Sequence, residues 1–150
     1  MARAPLKEKM MSKMIFVNLP VRDLAASTAF YEAIGGTKNP QFSDATASCI
    51  VFSDTIYAML LTHDKYRHFT QRPIADAHKT SAVLLATSVE SRSEVDSIVD
   101  RAVSAGGVAD PNPKQDHGFM YGRSYEDPDG HVWEVFWMDT AATAQKPESA

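Results

Sequence analysis

The chain has 150 residues, of which 44% are hydrophobic, and its 15 basic and 19 acidic residues give a formal net charge of −4. That is enough apolar material for one buried core, while the acidic balance and the lack of a basic stripe speak against a nucleic-acid partner. The single cysteine, Cys49, excludes an intrachain disulfide framework and reads as a buried thiol in the run Cys49-Ile50-Val51-Phe52.

Residues 1–13 are basic and rich in Met, without an apolar stretch of signal-peptide length, and nothing later has the length of a membrane span. They read as an N-terminal extension, 14–138 as one domain and 139–150 as a tail, in a cytoplasmic protein with no membrane partner.

The first strand runs through Ile15 to Val21, with Ile15, Val17, Leu19 and Val21 on the side that packs under a helix and Phe16 and Asn18 on the opposite, concave side. Asp23 caps an amphipathic helix carrying Leu24, Tyr31 and Ile34 on one face, stopped by Gly35-Gly36. Three β-prone segments follow, near 41–45, 47–52 and 56–62. A join over 63–80 contains Pro73 and one short helical stretch at 64–69.

The pattern then repeats. A strand at 84–89 leads into the capping box Ser91-Arg92-Ser93-Glu94, a helix with Val95, Ile98, Val99, Ala102 and Val103 at helical spacing, and the stop Gly106-Gly107. Further strands are predicted near 108–109, 119–125 and 132–138. Each half reads as βαβββ, module one at 14–62 and module two at 81–138, an α+β chain.

Asp127-Pro128-Asp129-Gly130 suits a type I turn. In the strand that follows, Val132, Glu134 and Phe136 face one side and Trp133, Val135 and Trp137 the other. A carboxylate among large apolar groups is costly to bury unless something binds it, which singles out Glu134. Pairing Asp127 with His131 sets Ser124 beside Glu134 and Gly122 beside Phe136, and turns Arg123 and Tyr125 toward the Trp133 side, where Arg123 is expected to stack on an aromatic rather than clamp an anion, the alternative role.

Among the histidines, His63, His68 and His78 read as loop residues and His131 as structural, leaving His117 as the candidate general base or ligand. Asn18 either binds a ligand oxygen or satisfies a neighbouring backbone group. No Gly-rich phosphate loop, nucleophile elbow or Cys-Xaa-Xaa-Cys element is present.

The repeat, the Asp23 cap followed by Phe30-Tyr31, and Asp127-Pro128-Asp129-Gly130-x-x-x-Glu134 together resemble the vicinal oxygen chelate superfamily. That group comprises glyoxalase I, the extradiol dioxygenases, the fosfomycin-resistance transferases and the bleomycin-resistance proteins. The resemblance implies two modules whose sheets form an open cup, and a homodimer. On it, the cup takes Phe16, Asn18, Ala58 and Leu60 from the first half and Leu84, Gly122, Ser124, Phe136 and Glu134 from the second.

The resemblance also implies metal ligands on the first and last strands of each half. Matching on Leu19-Pro20-Val21-x-Asp23-Leu24 puts Phe16 where glyoxalase I has a histidine, with Leu84 at the corresponding position of the second half and Leu60 on the last strand of the first. Only Glu134 matches a ligand, and one carboxylate cannot hold Zn²⁺, Ni²⁺ or Fe²⁺. No cofactor is expected. The reading is a protein that binds a small, partly apolar molecule, as a binder or as a metal-free acid/base enzyme using Glu134 and His117. The alternative is a metal-dependent lyase, isomerase or dioxygenase with a non-standard ligand set.

Overall fold

The computed structural model describes residues 12–141, so nearly all of the N-terminal extension and C-terminal tail lie outside the described residues. The first module contains β1 (Ile15–Val21), α1 (Leu24–Ala33), β2 (Thr37–Asn39), β3 (Ala47–Val51) and β4 (Ile56–Thr62), followed by a short helix α2 (His63–Arg67). The second contains β5 (Leu85–Ser88), α3 (Arg92–Ser104), β6 (Val108–Ala109), β7 (Gln115–Asp116), β8 (Met120–Glu126) and β9 (Val132–Met138). Two open sheets result, ordered β1-β4-β3-β2 and β5-β9-β8-β6, with β7 also paired to β8. In each, the first strand runs parallel to the last, and the intervening strands are antiparallel. None of the described helices is long and apolar enough to cross a membrane.

Both long helices begin where the sequence places their caps. The Asp23 carboxylate accepts from the Ala26 N–H at 3.0 Å, and Ser91 Oγ accepts from the Glu94 N–H at 3.1 Å. Glu94 reaches back to the Glu90 N–H at 3.1 Å, one residue before the usual capping-box donor. At the end of α3, Gly107 is required by space: a Cβ there would lie 2.5 Å from the Glu126 carbonyl oxygen and 2.8 Å from the Phe30 ring.

The two modules share one core. Phe30 and Tyr31 of α1 and Val95, Val99 and Ala102 of α3 meet Leu19, Ile50, Leu60, Tyr125, Trp133 and Val135 in a single buried cluster. At its centre the Tyr31 hydroxyl donates to Asp127 Oδ2 at 2.5 Å and accepts from the Trp133 indole N–H at 2.9 Å. Asp127 Oδ1 accepts the N–H groups of Asp129 and His131 at 2.9 and 2.8 Å, so this fully buried carboxylate holds its own turn closed. Burial pushes the Asp127 carboxyl above its ordinary range, against the opposing pull of His131 and these hydrogen bonds. The turn also ties to module one through the Arg22 N–H to Asp129 Oδ1 at 2.8 Å and His131 Nε2 with the Pro20 carbonyl oxygen at 2.9 Å. His131 is therefore structural.

Several expectations need correction. The segment at 41–45 is not a strand: Pro40 opens a 3₁₀ turn over Pro40–Phe42 capped by Asn39, and the strand lies earlier, at Thr37–Asn39. Ile15 is 57% exposed, although Leu19 and Val21 are buried. A ten-residue helix is about 15 Å long and a seven-residue strand about 23 Å, so α1 cannot cover all of β1.

Ala58 and Leu60 do not line a concave face. The parallel register pairs them with Val17 and Leu19, on the side where Ser48 of β3 meets Thr28 of α1 at 2.8 Å, and both are completely buried. Tyr57 and Met59 take the side shared with Phe16 and Asn18.

Candidate functional site

The β8–β9 hairpin has the register read from its turn, pairing Ser124 with Glu134 and Gly122 with Phe136, and it adds Met120 opposite Met138. On the other flank of β9, Ala86 of β5 lies beside Glu134. All of these belong to one face of the sheet, because partners across a ladder share a side. The opposite face sends Trp133, Val135 and Tyr125 into the core.

A cavity of about 260 Å³ lies against this face. Phe136, Met120, Met138, Ala86 and Gly122 border it together with Glu134, and Pro113 and Gln115 close one side from β7 and the loop before it. The half-buried Glu134 side chain makes no hydrogen bond or ion pair among the described residues. Ser124 also borders the cavity, but its hydroxyl accepts from the Asn112 N–H at 3.0 Å and lies 3.4 Å from the Asn112 carbonyl oxygen. Its role is to hold the 110–114 loop against the sheet.

Arg123 borders the cavity only by its position in β8. Its guanidinium is on the far face, bidentate to Asp110 at 3.0 and 2.7 Å and bonded to Asp96 at 2.9 Å. The expected turn away from the cup holds, whereas the expected aromatic stacking is replaced by carboxylates that α3 and the loop supply. Hydrogen bonding to Arg123 holds the Asp110 carboxyl below its ordinary range, and the Tyr121 hydroxyl, followed by Arg123, does the same for Asp96. The cation that lies over aromatic rings is Arg92, 5.0 Å from the Tyr121 centroid and 5.3 Å from that of Trp137. Arg92 also pairs with Asp116 at 2.7 Å and holds that carboxyl at about 2.

The remaining sequence candidates lie elsewhere. Phe16 stacks on Tyr57 with centroids 4.5 Å apart, and Asn18 Nδ2 donates to the Phe16 carbonyl oxygen at 3.2 Å, which is the backbone-satisfying role. Both line a second cavity of about 490 Å³ with Val83, Leu85 and Val132, and Glu134 is not part of it. Leu84, 51% exposed, does not border the Glu134 cavity. His117 is exposed at the end of β7, its ring 6.3 Å from that of Phe119, and does not border the Glu134 cavity either. Gln115, two residues earlier, takes the place expected of it. Met120 and Met138 were legible as well, since each continues the Gly122 and Phe136 alternation by two residues.

The sequence model described as the glyoxalase/bleomycin resistance protein/dioxygenase superfamily matches residues 13–135. The chain belongs to this superfamily. Structurally it is similar to a hypothetical protein, SA1046, from S. aureus, with a TM-score of 0.70 and 27% identity over 88% of this chain and 98% of that one. A glyoxalase/bleomycin resistance protein/dioxygenase family enzyme from Burkholderia phytofirmans superposes with a TM-score of 0.68 at 20% identity, covering 85% of this chain and 99% of its own. The fosfomycin resistance protein FosX from Listeria monocytogenes gives 0.61 at 18% identity, over 94% and 97% of the two chains. These last two likenesses bear on the fold alone. No curated protein matches the sequence.

The side chains present do not fit the divalent metal of the superfamily's metal-dependent members. Phe16 and Leu84 offer hydrocarbon at two of the matched positions, the third, Leu60, is buried on the helix-covered side, and the described residues contain no group of three or more His, Cys, Asp or Glu able to hold a metal ion.

Proposed function

We propose that this superfamily member binds a small, largely apolar molecule against the β8–β9 face, with Glu134 meeting the polar atom of that molecule and no metal between them. One observation carries the reading: Glu134 is the acid of a mostly apolar cavity and has no partner among the described residues. A half-buried, unpaired carboxylate is a cost to the fold that ligand binding offsets. His117 stands outside the cavity, which favours binding over a two-residue acid/base mechanism; were turnover to occur, Glu134 would be the group that moves the proton.

The active unit in this reading is a homodimer in the cytoplasm. β1 and β5 are each an edge strand of their sheet, and Ile15, Phe16, Val83 and Leu84 on or beside them are each at least 45% exposed. Unpaired edges with apolar side chains are what a second copy would cover.

The test is thermal unfolding with added Zn²⁺, Ni²⁺, Fe²⁺ and Mn²⁺, on wild type and Glu134→Gln. A native-state ligand at about a hundredfold excess over its Kd adds about 2.7 kcal/mol, which for a chain of this size raises Tm by about 5–10 °C. The expected result is no shift of that size with any of the four ions. A chelator-sensitive shift in the wild type that Glu134→Gln abolishes would replace this reading with the metal-dependent one.

A further inference from the structure

Resting on the assignment of the β8–β9 cavity as the binding site, we infer that its ligand is an organic cation: a protonated amine on a compact apolar or aromatic body. The inference comes from the charge inventory of the site. Among the described residues, Glu134 is the only charged side chain directed to the cavity, since the Arg123 guanidinium is held by Asp110 and Asp96 on the far face. Two other cations stand nearby. Arg92 pairs with Asp116, and Lys114, exposed between two lining residues, acts electrostatically on Asp96 and Asp110. Ser124 has its hydroxyl engaged with Asn112, which leaves Gln115 as the neutral polar side chain of the wall.

An anionic ligand would meet a like charge, with no cation among the described residues directed at the cavity to receive it. A neutral ligand would leave the carboxylate short of a full partner. A cation supplies the missing charge, and the rest of the wall suits it. Phe136, two residues along the same face of β9, offers an aromatic ring for cation–π contact, and Met120 and Met138 offer polarizable thioethers that adapt to an apolar body. Specificity here comes as much from rejecting anions as from attracting amines.

Three probes that share one ring and differ in charge test the inference: benzylamine, benzyl alcohol and benzoate. Binding is followed by NMR of the methionine methyl groups, with Met120 and Met138 assigned from Met→Leu variants so that the readout reports this cavity. Benzylamine is expected to bind about tenfold more tightly than benzyl alcohol, with benzoate weaker than both. Glu134→Gln should weaken benzylamine about tenfold and leave benzyl alcohol nearly unchanged. Gly122→Val should displace all three, because a Cβ at Gly122 lies 3.4 Å from Phe136 Cβ and 3.9 Å from Met120 Cε, so the added side chain fills the cavity.

Benzyl alcohol or benzoate binding as tightly as benzylamine overturns the cation assignment and leaves the cavity as the binding site. Benzylamine binding that survives Glu134→Gln does the same. Failure of every probe to move the Met120 and Met138 signals overturns both.

Discussion

Replacing Tyr31 by Phe removes one oxygen atom that serves two buried partners. The hydroxyl donates to Asp127 Oδ2 and accepts from the Trp133 indole N–H, and all three residues are at most 3% exposed. Phenylalanine fills the same space, so no cavity term enters. What remains is an orphaned indole donor and a carboxylate oxygen stripped of its shortest bond, at about 1–3 kcal/mol for each unsatisfied group, less the saved burial of the hydroxyl. The expected loss is about 3 kcal/mol near neutral pH, read as a lower urea midpoint at unchanged slope. The pH dependence carries a sign. Burial raises the folded-state value of Asp127, and the Tyr31 bond is one of the contacts pulling it down, so the variant raises it further. Stability linked to a raised carboxyl is fully present below the unfolded value and is lost as pH rises through the folded one. The gap between wild type and variant should therefore be wider at about pH 8 than at about pH 4, close to the unfolded carboxyl value. A loss below about 1 kcal/mol at the higher pH, or the same loss at both, would refute the account of this network.

Other substitutions probe the remaining elements. Arg123→Met should cost about 2–3 kcal/mol, at the low end for a broken buried pair because Asp96 is half exposed, and the deficit should shrink in acid. The sign follows from the lowered carboxyls of Asp96 and Asp110, whose contribution is present above their unfolded values and lost as pH falls through the folded ones; urea titrations across acid pH would follow it. Gly107→Ala should destabilise by about 2 kcal/mol in thermal melts, because the new methyl meets backbone at Glu126 and Ala102 as well as the Phe30 ring. Glu134→Gln should leave stability within about 1 kcal/mol of wild type by the same measurement, having no intrachain partner to lose. Phe16→Glu should convert a dimer to monomer in analytical ultracentrifugation, and an unchanged sedimentation profile would count against β1 as the interface.

The β8–β9 face was legible because Asp127-Pro128-Asp129-Gly130 fixes one pairing, and a period of two then fixes every other side chain on both strands. The helix starts were legible for a comparable local reason, a short polar side chain at each cap. β4 was not: Ile56 to Thr62 is apolar on both sides, so alternation offers no choice, and Ala58 and Leu60 were assigned to the wrong one. The deciding facts are non-local, namely the parallel register with β1 and the contact of Ser48 with Thr28. The Tyr31–Asp127–Trp133 network was invisible for the same reason, since its members lie 96 and 102 residues apart. His117 misled because a strand end predicts a neighbourhood but not which way a terminal ring turns.

Among the described residues the cavity beside Glu134 is bordered by 86–138 alone, whereas the Tyr31 oxygen that steadies the strand above it comes from the first half. On the proposed reading, two copies of one design take up separate trades, one as foundation and one as workshop. Lineages descended from such a chain are free to alter what they bind by changing β8, β9 and the 110–116 loop while leaving α1 untouched. Drift in the first half would be felt in how much folded protein a cell holds, long before it was felt in what that protein recognises.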